Sequence, residues 1–93
     1  MPKIVVKKDG REEEFVPEKI VASAVKSGAT PELARKIAGD IEKIEKDKIE
    51  SREIEKEVLK NLRKESPALE KRWIAYDKSV KRLYRHYKGG LYE

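Results

Sequence analysis

Apolar residues open this chain in two short clusters, Ile4–Val5–Val6 and Phe15–Val16, separated by a charged stretch centred on Asp9-Gly10. Residues 3–8 (KIVVKK) and 11–15 (REEEF) read as two strands, because Asp-Gly suits the positive φ angles of a type I′ hairpin turn. A two-residue loop sets Ile4 opposite Phe15 and Val6 opposite Glu13. One face of the hairpin then carries Ile4, Val6, Phe15, Lys8 and Glu13, apolar at its start and ionic towards the turn.

After residue 16 the apolar spacing becomes helical. Pro17 suits the first position of a helix, where its missing N–H costs nothing, and Gly28 is a plausible stop. Thr30-Pro31 repeats the start signal with a hydroxyl cap, and Leu33, Ile37, Ile41 and Ile44 form a stripe behind it. A brief extended piece is expected around Lys48 to Glu50. Ser51 is expected to cap a third helix that turns Ile54, Val58, Leu59 and Leu62 inward. Ser66-Pro67 opens a fourth, with Trp73, Tyr76, Val80, Leu83 and Tyr87 along one seam.

The outline is hairpin, helix, helix, short strand, helix, helix: an α+β fold in which four amphipathic helices bury their stripes together under a small sheet. Residues 1–88 read as a single domain. Gly89-Gly90 ends the last helix, and residues 89–93 are expected to be a flexible tail.

Composition narrows the possibilities. Of 93 residues, 44% are charged and 38% hydrophobic, but the charges interleave with periodic apolar positions, unlike a disordered chain. There is no cysteine, hence no disulfide framework and no thiolate metal site. No apolar run is long enough for a membrane span or a signal peptide, and the expected location is cytoplasmic. The net charge of +5 is uneven: residues 1–65 hold 16 basic and 15 acidic side chains, residues 66–93 hold 7 and 3.

Catalytic constellations are missing. His86 is the one histidine and sits among Arg85, Tyr87 and Lys88; no metal site is expected from a lone imidazole. The serines fall at helix caps or within helices, and carboxylates alternate with Lys and Arg at i,i+4 spacing, the pattern of an ion-paired surface. Neither a Walker loop nor a dinucleotide glycine motif occurs. The chain does not read as an enzyme.

Two binding surfaces stand out. Lys78, Lys81, Arg82, Arg85 and Lys88 lie on the side of the fourth helix away from its apolar seam, and could follow a nucleic-acid backbone or simply be a solvated face. The hairpin tip could be a charged edge or half of an anion site. In the second case Lys7, Lys8 and Lys19 supply cations, Val5 and Ile20 an apolar shelf, and Glu13 an acceptor for an exocyclic amine.

The stretch VVKKDGREEEFVPEKI resembles the opening of the ATP-cone domain, which usually reads near V-x-K-R-D-G-x-x-x-x-F-x-x-x-K-I. TPELARKIAGDIEKIEKDKIESREIEKEVLKNLRK resembles that family's second helix, short strand and third helix. WIAYDKSVKR is similar to its closing helix, near Y-R-x-Y-D-x-x-V-K-R. The resemblance covers roughly residues 3–82 in the expected order.

This resemblance implies a four-helix bundle capped by a three-stranded mixed β-sheet that starts with the hairpin. It implies regulatory binding of ATP or dATP, with Mg²⁺, rather than hydrolysis. Such domains usually head ribonucleotide reductases, where the ligand switches oligomeric state, or follow a zinc ribbon in a repressor of reductase genes. Carried onto matching positions, Lys7 and Lys8 hold phosphates, Glu13 lies near the base, Lys19 and Lys81 complete the cationic wall, and Ser51 lies near the ligand. This chain departs from the pattern at Lys8, where arginine is common and its bidentate fork is lost. It departs again at Val16, where Asn or Asp is frequent. Glu55 stands where reductases often carry a histidine near the phosphates.

The expectation is a stand-alone cone that senses a nucleotide and signals through a homo-oligomer or an enzyme or regulator partner. Met1 and the tail favour that over a piece of a larger enzyme. The alternative is a small basic protein that binds nucleic acid through the C-terminal helix, with the cone as scaffold. Steep salt dependence would mark the latter.

Overall fold

The computed structural model describes the backbone of residues 1–83 and the side chains of residues 1–78. The order is β1 (Ile4–Val6), β2 (Glu12–Glu14), α1 (Pro17–Lys26), α2 (Pro31–Glu42), β3 (Lys48–Glu50), α3 (Ser51–Glu65) and α4 (Pro67–Leu83). The expectations for the side chains of Val80, Lys81 and Leu83, for His86 and Tyr87, and for the tail fall outside the described residues.

Pro17, Pro31 and Pro67 open their helices as the sequence suggests. Thr30 caps α2, its Oγ1 accepting from the Leu33 N–H at 3.2 Å. At the end of α1, Gly28 adopts φ +109°, the Gly28 N–H donates to the Val25 carbonyl, and the Ala29 N–H donates to that of Ala24. Together these close a Schellman motif that only a residue at ease with positive φ can complete. Arg72 of α4 packs over this turn, so that a Cβ on Gly28 would meet its Nη1 at 3.2 Å.

Each helix packs on two others, in the cycle α1–α2–α3–α4–α1. The expected stripes face inward: Ile37 and Ile41 from α2, and Ile54, Val58 and Leu62 from α3, are buried. Leu33, Ile44 and Leu59 are half-buried at the margin. Trp73 of α4 is buried too, with its Nε1–H directed at Ser23 Oγ, 3.5 Å away.

The sheet is mixed, in the order β2-β1-β3, with β1 antiparallel to β2 and parallel to β3. The fold is therefore α+β, four helices with a three-stranded sheet begun by an N-terminal hairpin.

The hairpin register differs from the expectation by one residue. Ile4 pairs with Glu14, Val5 with Glu13 and Val6 with Glu12. The cause is the loop. Lys7 N–H donates to the Arg11 carbonyl and Gly10 N–H to the Lys7 carbonyl, leaving Lys8, Asp9 and Gly10 as a three-residue connection with Gly10 at φ +89°. A turn followed by one residue with positive φ is the next commonest hairpin after the two-residue type. Because side chains alternate, the slip exchanges the faces. Val5, Lys7, Glu13 and Phe15 share the core side, with Val5, Lys7 and Phe15 buried, whereas Ile4 and Val6 lie half-buried on the outer face.

Candidate functional site

The exchange of faces carries a lysine into the protein. Lys7 follows Val5 on the core side of β1, and its side chain is only 1% exposed. Its Nζ lies 3.3 Å from Glu13 Oε2 on the neighbouring strand, and Lys19 Nζ of α1 lies 3.8 Å from the same oxygen. Glu13 thus sits between two cations from different elements. The pairing opposes the desolvation penalty that a buried ammonium carries alone.

Arg11 is diverted away from this group. Its backbone N–H donates to Asp9 Oδ1 at 3.1 Å and its Nε donates to Oδ2 at 2.6 Å. The Arg11 backbone N–H, with the guanidinium behind it, holds the Asp9 carboxyl below the usual carboxylate range. Of the basic residues around the hairpin tip, Lys7 and Lys8 line the adjoining cleft.

That cleft, of about 120 Å³, is lined by Lys7, Lys8, Glu50, Ser51 and Arg52. It forms because β3 pairs with β1 and runs without a break into α3, which brings the start of that helix beside the hairpin loop. Ser51 was expected to cap α3. Instead Glu50 holds the N-cap position, without a side-chain capping bond, and Ser51 is the first helical residue. The reason is that β3 ends at Glu50, so the extended residue before the helix is the strand's last one.

Two features of this corner are costly in isolation. The Ser51 hydroxyl is buried and has no hydrogen-bond partner among the described residues. The positive end of the α3 dipole also meets Lys7, Lys8 and Arg52. Glu53 in the first turn is directed at Lys46, which donates to its carboxylate at 2.9 and 3.1 Å. An anion bound in the cleft would relieve both features at once.

Glu50 also lines the cleft, and among its lining cations Arg52 is the one that sequence reasoning did not name. Its signal was available: a cation in the first turn of a predicted helix, where acidic residues are the favoured choice.

Further along α3, a narrow crevice is lined by Ile20, Ser23, Ile54, Glu55, Val58, Trp73 and Asp77. Ser51 and Glu55 are one helical turn apart, so α3 lines the cleft with its first turn and the crevice with its next turns. Val5 and Ile20, expected as a shelf, are 0% and 1% exposed. They belong to the core behind the site, with Ile20 reaching the crevice wall. Val16 is half-buried at the N-cap of α1 and makes no side-chain capping bond. Of the candidate residues, Lys7, Lys8 and Ser51 line one cleft, Lys7, Glu13 and Lys19 form one ion cluster, and Ile20 and Glu55 share the crevice. The Lys81 side chain lies outside the described residues.

Comparison of the chain with curated proteins finds no match. The family model for the ATP cone domain matches residues 3–87, from the first strand through the last helix, and the chain belongs to the ATP cone family.

Proposed function

We propose that this cone binds ATP or dATP as a regulatory ligand, with Mg²⁺ brought in on the phosphates, and passes its occupancy on through self-association or through an enzyme or regulator partner. ATP cones are regulatory rather than catalytic domains, and family membership supports a nucleotide ligand. The observation that carries the proposal is the corner where α3 begins. A buried hydroxyl without a partner among the described residues, a helix N-terminus without a side-chain cap and three cations converge on one cleft.

In this reading the phosphates lie against the first turn of α3, where Ser51 donates its hydroxyl proton and Lys7, Lys8 and Arg52 balance the charge. Lys19 extends the cationic wall. Glu13, already placed by two lysines, accepts from the exocyclic amine of the purine. Glu55, one turn beyond Ser51, limits how far the phosphates advance along α3, since like charges repel. Val5 and Ile20 support the site from the core. Among the described residues, no group of three or more His, Cys, Asp or Glu side chains could hold a metal. Mg²⁺ therefore fits as an ion chelated by phosphates, the usual mode for a cation that dehydrates reluctantly.

No helix among the described residues is long and apolar enough to cross a membrane. Signalling would proceed by differential affinity: the nucleotide favours whichever assembly binds it better.

The test is calorimetric titration of the full chain with ATP and dATP in the presence of Mg²⁺, at low and moderate salt, with Lys8→Ala as the comparison. Saturable binding that persists at moderate salt and weakens in Lys8→Ala supports the proposal. No heat with either nucleotide overturns it.

A further inference from the structure

The outer side of α3 carries a second cationic feature, separate from its N-terminal corner. An open groove of about 440 Å³ runs between α3 and α4, lined by Lys56, Leu59, Lys60, Arg63, Lys64 and Glu70. The four basic residues are exposed, whereas Leu59 and Glu70 are half-buried. Arg63 is committed to Glu70, with its Nε and Nη2 each 2.8 Å from the same carboxylate oxygen, and this clasp joins the two helices. Lys56, Lys60 and Lys64 make no ion pair with any described residue.

Their spacing is unfavourable for an isolated helix. Lys56, Lys60 and Lys64 are successive i,i+4 neighbours, and like charges so placed destabilise a helix by a few tenths of a kcal/mol per pair, about as much as opposite charges stabilise it. The ladder climbs about 6 Å per step. An amphipathic helix with glutamates at the same interval repeats at the same step, so its carboxylates could face the three ammonium groups together. The groove floor suits such a partner further: Leu59 offers an apolar contact beneath the basic rim, as a helix-in-groove complex requires. Nucleic acid suits it less well. Among the described residues, no aromatic ring lines the groove to stack a base, and a phosphate backbone has no use for an apolar floor.

We infer that the α3–α4 groove is a docking site for an acidic amphipathic segment of a partner protein, with glutamates on Lys56, Lys60 and Lys64 and an apolar side chain over Leu59. The inference does not depend on nucleotide binding at the other face of α3.

The experiment is fluorescence anisotropy with the full chain and a labelled synthetic peptide that carries glutamate at three successive i,i+4 positions and leucine beside them. A scrambled peptide of equal composition and a labelled oligothymidylate serve as competing probes. The ordered peptide is expected to bind about tenfold more tightly than the scrambled one, because only one face presents both charge and apolar contact. Lys56→Glu/Lys60→Glu/Lys64→Glu is expected to lower that affinity by about tenfold or more, because like charges then face each other. Thermal melting followed by circular dichroism checks that the triple variant folds, and Lys60→Gln gives the same direction with a smaller loss. Equal binding of the scrambled peptide, tighter binding of oligothymidylate, unchanged affinity in the variants, or no binding at all would overturn the inference.

Discussion

Lys7 Nζ lies 3.3 Å from Glu13 Oε2, on a side chain that is only 1% exposed. A buried lysine against a half-exposed carboxylate is an asymmetric pair, and the asymmetry is testable. Glu13→Gln leaves the Lys7 ammonium inside with less compensation and should destabilise the fold by about 1–3 kcal/mol. Lys7→Met removes the buried charge, fills similar space and leaves Glu13 beside Lys19 and water, so it should cost less. Urea unfolding of the two variants checks the order. Greater destabilisation by Lys7→Met would contradict it.

Ser51→Ala separates folding from binding. The hydroxyl is buried without a partner among the described residues, so its removal should leave stability unchanged or raise it by up to about 1 kcal/mol. A phosphate that accepts from the hydroxyl would lose a charge-assisted bond, so nucleotide affinity should fall by about tenfold. Paired thermal melts and calorimetric titrations read both quantities. A clear loss of stability would show that Ser51 serves the fold alone.

The two glycines with positive φ should respond alike to alanine, but not identically. At Gly10, φ is +89° and no described residue lies within 4 Å of an added Cβ, so Gly10→Ala should cost about 1–2 kcal/mol through backbone conformation. At Gly28 the same conformational cost is joined by a displacement of Arg72, whose Nη1 would be 3.2 Å from the new carbon. Gly28→Ala should therefore be the more destabilising, by chemical denaturation, and should disturb α4 as well as α1.

Asp9 gives the hairpin loop an acid-side dependence. Its carboxyl is held below the ordinary range, first by the Arg11 backbone N–H. A depressed carboxylate supports the folded loop above its unfolded-state value, and that support is lost as pH falls through the lower folded value. Following the Gly10 and Arg11 amide resonances in an acid titration should show a midpoint below that of an unstructured peptide. Asp9→Asn should remove the transition. A midpoint in the ordinary carboxylate range would contradict the loop geometry.

Much of the fold was legible because its punctuation is chemical. Hydroxyl-proline pairs at Thr30-Pro31 and Ser66-Pro67 mark helix starts, and the stripe through Ile37 and Ile41 marks a buried face whatever the partner. The short strand at Lys48–Glu50 was also legible, because charge-rich extended sequence precedes a renewed helical period. The hairpin register was not. Asp9-Gly10 suits a two-residue turn and a three-residue loop equally, and the choice depends on whether Val5 or Ile4 packs better on helices distant in sequence. That one step decides that Lys7 lies inside. The role of Ser51 was half legible: its position at the start of α3 could be read, but its burial depends on β3 pairing in parallel with β1. Arg52 carried a readable signal as a cation in the first turn of α3, but the cleft that gives it a role exists only after that pairing.

The measurement that bears most directly on the central claim is a nitrogen–proton NMR titration of the full chain with Mg²⁺-ATP. Saturable shifts are expected at the amides of Lys8, Ser51 and Arg52, the groups that line the corner where α3 begins. Absence of shifts there, or shifts confined to the Lys56–Lys64 side of the same helix, would contradict it.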